Sequence, residues 1–201
     1  MIKHQPIIQE LQNLHLLRCT ANYDANLNKE VVKLLAVELA KNPIGNKLAC
    51  NQIGILNHRV AIVNVIQPMF LINPRILKSS IPIIGISDDL SFPQKIIRTY
   101  KYANITVASD NFKDTVTFGM TSEDEELSVT DPRMMLCFAM QHVIDLLNGI
   151  TMFQREFTDD IQVKTSKHIT ITIINDSGDE KVIKQKYFIN FKNKGWRVKE
   201  Q

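Results

Sequence analysis

Three stretches of this 201-residue chain carry side chains whose types and spacing suit chemistry. The first is Met140–Gly149, MQHVIDLLNG. On a helix, His142 and Leu146 are four residues apart and share one face. A helix that holds a hydrolytic zinc, written His-Glu-x-x-His, needs imidazoles at both positions and a carboxylate directly after the first. Here the first imidazole is present, the carboxylate position is Val143 and the second imidazole position is Leu146. The second stretch, ISDDLSFPQ (86–94), offers the adjacent carboxylates Asp88 and Asp89. Such a pair can bind Mg or Ca, although in a short loop it more often serves a turn. The third, IGNKLACNQIGI (44–55), is bounded by Gly45 and Gly54 and carries Lys47 and Gln52. These parts outline a metal site that lacks most of its donors.

The elements that must position these residues are legible in the periodicity. Thr130 or Asp131 can cap a helix over 132–148, with Pro132 at its first turn and Gly149 at its exit. NKEVVKLLAVELAK (28–41) predicts an amphipathic helix with Val31, Leu34, Leu35 and Leu39 on its apolar stripe, stopped by Asn42-Pro43. A short helix is expected near Ile8–Leu17. Strands are expected at 59–66, 69–72, 81–86, 102–109 and 115–120, the last two as an antiparallel pair turned at 110–114. The segment 86–94 reads as loop-like at first and extended by Phe92-Pro93, 121–126 as a solvated acidic stretch, and 150–157 as a short strand or tight exit. Farther on, 167–174 and 182–191 alternate as Ile- and Thr-rich strands around the turn Asn175–Gly178.

Composition narrows the classes. Hydrophobic content of 44% and charged content of 22% are those of an ordinary globular domain, and a net charge of +3 is too small to imply nucleic acid by itself. No apolar run approaches a membrane span, and the first residues lack the apolar core of a signal peptide, so a cytoplasmic location and no membrane partner are expected. Cys19, Cys50 and Cys137 form no CxxC pair, which suits a reducing compartment, and Cys137 falls within an apolar helix as a core residue. Residues 163–201 hold nine Lys or Arg against four acids. Lys184, Lys186, Lys192 and Trp196 make this hairpin a candidate surface for RNA or an acidic partner, against the plainer alternative of a solvated face over a small core.

In order along the chain, GNKLACNQIG (45–54), FLINP (70–74), SDDLSFP (87–93) and QHVIDLLNGI (141–150) resemble the motifs of the peptide deformylase family. The likeness spans roughly residues 20–157. It implies an α+β fold of mainly antiparallel strands around the helix at 132–148, in a domain over 1–158; the change in composition and the strand alternation add a β-hairpin extension over 159–201, outside the likeness. The family removes the formyl group from N-terminal formyl-methionine with a bound metal. Residue by residue, Gln52 matches the side chain that helps hold the oxyanion, Leu90 the residue whose backbone N–H does the same, and His142 one metal ligand. The cysteine ligand falls on Asp89, the second histidine on Leu146 and the catalytic glutamate on Val143. Gly45, Lys47, Gln52, Leu90 and His142 outline the vestigial pocket, with Lys47 standing where the family has a glycine.

Those departures predict lost chemistry. A catalytic metal takes about three protein ligands and an open position, and Leu146 supplies none. Without a carboxylate at 143 there is no general base on the helix, typically a loss of ~10²–10⁴ in rate. Val143 and Leu146 would instead fill the space with apolar volume, and His142 would be a buried imidazole bonded to Gln52 or Asp89. No cofactor is expected. The expected role is an inactive, deformylase-like protein that binds a protein partner in a larger assembly, a phage virion or the ribosome. A nucleic-acid-binding hairpin and a divergent deformylase or amidase are the alternatives.

Overall fold

The structure, a computed structural model, describes residues 2–8, 18–80, 82–120, 128, 130–157, 170–175, 177–184 and 197–198. The chain divides into two compact units, Met1–Phe157 and Thr158–Gln201. The first is built on two helices. Helix α1 (Ala25–Ala40) starts three residues before the apolar stripe suggests, because the Asp24 carboxylate caps it by accepting from the N–H groups of Asn26 and Leu27. Helix α2 (Pro132–Leu147) is capped by Asp131, which accepts from Arg133 N–H, and left through Gly149 at φ +77°. That left-handed exit needs glycine.

Around them lie antiparallel strands. β1 (Lys47–Ala49), β2 (Val60–Asn64) and β3 (Pro68–Ile72) form one sheet. β4 (Arg75–Ser79), β7 (Asn104–Ala108) and β8 (Val116–Gly119) form a second in the order β4-β7-β8. β5 (Pro82–Asp89) and β6 (Phe92–Tyr102) pair as a long hairpin. Helix α2 packs on β1, β2 and β8, and α1 covers β2. The core they share is apolar: Val31 and Leu35 from α1, Leu48, Val60 and Val63 from the first sheet, and Cys137, Met140, Val143 and Leu147 from α2. Burying side chains of this size contributes roughly 1.5–3 kcal/mol each.

The second unit is a small sheet in the order β10-β9-β11, from β9 (Thr170–Ile174), β10 (Glu180–Lys184) and β11 (Arg197–Val198). The expected hairpin is present, with a third strand paired to β9. The short helix expected near Ile8–Leu17 and the acidic stretch 121–126 lie outside the described residues. Among the described residues, no helix is long and apolar enough to cross a membrane.

Three stretches differ from, or go beyond, what the periodicity predicts. The first part of 86–94 is not a loop but the end of β5, followed by a two-residue turn at Leu90-Ser91, and the extended backbone expected at Phe92-Pro93 is the start of β6. The polarity of the β5–β6 hairpin is inverted here, with Gly85, Ser87 and Asp89 buried while Ile86 is 60% exposed and Ile96 73%. Periodicity that looks for an apolar inward face therefore misses it. Residues 75–79, unassigned from sequence, form β4. Of the two alternatives for 150–157, the structure has the tight exit, a single 3-10 turn over Met152–Arg155.

Candidate functional site

The inverted face of β5 is where the site residues meet. Asp89 ends β5, and its carboxylate is fully buried. Its Oδ1 accepts from Gln52 Nε2 at 2.8 Å and from the Ser91 N–H at 2.7 Å. The second of these is an Asx turn, which sets the tight reversal into β6. Its Oδ2 accepts from His142 Nε2 at 2.9 Å. Gln52 lies on the 3-10 turn Cys50–Ile53, where its Oε1 accepts from Ala49 N–H at 2.8 Å and its Nε2 also donates to Ser91 Oγ at 3.1 Å. Both amide hydrogens of Gln52 are thus spent inside the protein. No donor of this side chain is left for an incoming carbonyl.

His142 is buried on α2, one turn before Leu146. Burial pushes its imidazole below the usual value, against the pull of Asp89, and keeps it neutral near pH 7. Val143 and Leu146 are fully buried in the apolar core. Leu146 offers no donor atom to this site, and its backbone carbonyl accepts from Asn51 Nδ2. Lys47, on β1, is buried along its stem and places Nζ on Asp88 Oδ1 at 2.5 Å and Asn46 Oδ1 at 3.1 Å. That ammonium holds the Asp88 carboxyl below its usual range although burial pushes it up. The adjacent carboxylates therefore take different partners, Asp88 a lysine and Asp89 a histidine. They are not a shared cation site.

Gly45 and Leu90 meet as well. A Cβ at Gly45 would come within 2.7 Å of the Leu90 side chain, so any side chain there makes Leu90 shift where the loop before β1 approaches the β5–β6 turn. Beside this centre runs a cleft of about 320 Å³ whose wall includes Lys47, Asp88, His142, Ile86, Ile96 and Met135. Of the hairpin residues singled out from sequence, Lys184 closes β10, while Lys186, Lys192 and Trp196 lie outside the described residues. Sequence reasoning missed Ser91 and Asn51. An Asx-turn pattern, Asp89 followed two residues later by Ser91, was the available signal for the first. Nothing local announces the second, whose acceptor is 95 residues away.

The donor set can be judged on this geometry. Asp89 and His142 are brought together, but they bond each other, and the third position is a buried leucine. Among the described residues no group of three His, Cys, Asp or Glu side chains stands together. Two donors of different softness, each already engaged, do not fit a catalytic zinc or iron.

A family model described as Polypeptide deformylase matches residues 9–161. The chain belongs to that family. Its fold is similar to the class I type b peptide deformylase of Acinetobacter baumannii, at 20% identity over 75% of this chain and 98% of the other, TM-score 0.60. It is similar also to the peptide deformylase of Thermotoga maritima, at 21% identity over 78% and 100%, TM-score 0.60. A third is the enzyme of the Vibrio parahaemolyticus bacteriophage VP16T, solved with actinonin, at 20% identity over 73% and 99%, TM-score 0.57. No curated protein matches the chain.

Proposed function

We propose that this protein is a catalytically inactive member of its family that works by binding, as a component of a larger assembly such as a virion or the ribosome. The observation that carries this is the closed polar centre. Gln52, Asp89, Ser91 and His142 satisfy one another, and Val143 and Leu146 fill the neighbouring volume with hydrocarbon. A left-over histidine and glutamate at 146 and 143 would each be a buried polar group costing roughly 1–3 kcal/mol without partners. The apolar substitutions remove that cost, and they support a site converted to structure.

A binding role draws further support from the exposed apolar side chains at the cleft. Ile86, Ile96 and Met135 are 60%, 73% and 42% exposed and all line it. Exposed apolar residues gathered at a concave surface mark recognition sites. Expression from phage-infected cells or from the native host, followed by particle and ribosome purification, separates the two kinds of assembly. The chain should co-purify with one of them.

Elemental analysis and a turnover assay with formyl-methionyl peptide test the inactivity. Less than about a tenth of an equivalent of metal per chain is expected, with no turnover, and with no change in metal content in the His142→Ala variant. Near one equivalent, lost with His142 and accompanied by deformylation, would overturn the proposal in favour of a divergent enzyme.

A further inference from the structure

One sequence feature that the proposed function leaves unused is the cysteine content. Cys19 and Cys50, 31 residues apart, bring their sulfurs to 3.5 Å of one another at the C-terminal end of α2. Both are buried, Cys19 at 3% and Cys50 at 0% exposure. Their placement is fixed by the helix. The buried carbonyl of Leu147 accepts from the Cys19 N–H at 3.0 Å and from Arg59 Nη1 at 2.9 Å, while that of Leu146 accepts from Asn51, the neighbour of Cys50. The arm at 18–20 and the turn Cys50–Ile53 are therefore held against one helix end, and the two thiols face each other between them. Thr20 N–H to Leu56 O, at 2.9 Å, fixes the arm on its other side.

From this juxtaposition we infer that Cys19 and Cys50 are a redox site, a dithiol that a peroxide converts to a disulfide fastening the arm to the first turn of the polar centre. A disulfide needs its sulfurs at about 2.05 Å, so the pair lies roughly 1.5 Å of side-chain movement from bonding. Cys19 stands in the wall of a broad cleft of about 960 Å³ together with Arg18, Arg59 and Arg75, and a peroxide would approach from that side. The thiolate is the reactive form, and of the two sulfurs Cys50 is the one drawn towards it. The bond to Cys50 and burial hold the Cys19 thiol above its usual value, and Arg59 offsets them only in part. Burial pushes Cys50 up, but the Cys19 thiol and the Val60 N–H draw it below.

The chemistry balances. One sulfur attacks the peroxide, an S–O bond forms, the O–O bond breaks and the first water leaves. The other sulfur then attacks that sulfenic sulfur, the S–S bond forms, the S–O bond breaks and a second water departs. Two thiols are oxidised, one peroxide is reduced, and both thiol hydrogens end in water. The bond would tether residue 19 to residue 50, two positions from Gln52, whose amide holds Asp89. Cys137 is the internal control: it too is buried, its thiol is pushed up to about 11 by burial, and no other cysteine sulfur lies against it among the described residues.

The test uses the wild-type full chain, titrated with hydrogen peroxide, denatured, alkylated and mapped by mass spectrometry. Alkylation of Cys19 and Cys50 should fall in step by about tenfold or more, and a peptide linking residues 19 and 50 should appear. Cys137 should remain fully alkylated, and dithiothreitol should restore all three thiols. The oxidised protein should also unfold at a higher temperature than the reduced one. Cys137→Ser should behave as wild type, while Cys19→Ser and Cys50→Ser should give no intramolecular disulfide. Because the mapping is done on the wild type, a variant that fails to fold leaves the result standing. Cys19 and Cys50 staying reduced while a free thiol peptide in the same tube oxidises would overturn the inference. So would oxidation of either alone to sulfinic acid.

Discussion

Asp89 shows how one carboxylate can specify a reversal of the chain. It sits at the end of β5 with no exposed side-chain surface and three hydrogen bonds, from Gln52, Ser91 and His142. Asp89→Ala removes the acceptor from all three donors and leaves them buried. Unsatisfied buried groups cost about 1–3 kcal/mol each, so we expect a loss of roughly 3–5 kcal/mol, read from the urea midpoint at unchanged slope. A change under 1 kcal/mol would mean that the centre is open to water. Lys101 is the opposite case, a charge that burial opposes. It lies on β6 at 3% exposure, and burial pushes it down to about 8 from 10.5 despite nearby Asp145. The folded value is the lower one, so the unfolded chain binds more protons between pH 8 and 10.5. Stability from this group is therefore present above pH 10.5 and is lost as the pH falls to 8. At pH 7 the difference amounts to about 3 kcal/mol. Lys101→Met should recover most of it and flatten the rise in stability between pH 8 and 10.5. A variant with the same pH profile as wild type would show that Lys101 is solvated. At this scale the sequence made the residue types at the site legible, including the missing donors at 143 and 146. It did not show that Lys47 meets Asp88, because that pair joins two strands 41 positions apart.

At the scale of elements, caps and close approaches were written in local residues, and inverted polarity was not. Helix α2 was legible down to its ends, since Asp131, Pro132 and Gly149 each do a job that is local in the chain. β5 was legible only as far as Ile86, because the buried positions beyond it are Ser87 and Asp89, satisfied by partners on β6 and beyond. Ser87 Oγ, for instance, bonds Thr99 Oγ1 at 2.8 Å across the hairpin. A polar inward face is visible only once the partner strand is known. The local devices carry testable costs. Asp131→Ala deletes the α2 cap and should lower stability by about 1 kcal/mol. Gly45→Ala forces a Cβ to within 2.7 Å of Leu90 and 3.2 Å of a backbone oxygen. Leu90 must shift, at roughly 1–3 kcal/mol. Thermal unfolding of the two single variants checks both. A neutral Gly45→Ala would mean that the Leu90 side chain rotates away freely.

On the scale of the whole molecule, the two units pose separable questions. The first has its own apolar core and carries nearly all of the family match, which ends at residue 161. Its stability should therefore not depend on the second unit. A chain ending at residue 161 is expected to unfold cooperatively with the midpoint of the full-length protein, within about 0.5 kcal/mol. The basic residues of the second unit then become a question of binding alone. If they dock the protein on a ribosome, full-length chain should pellet with ribosomes at low salt, and the fraction bound should fall steeply as salt rises, as contacts to phosphate do. The shortened chain and the triple variant Lys184→Gln, Lys186→Gln, Lys192→Gln should both stay in the supernatant. Binding that survives salt and the triple variant, yet is lost when Ile86 and Ile96 are changed to Asp, would move recognition to the cleft of the first unit. The partner would then be one that offers an apolar segment, and charge would have only a minor part in holding it.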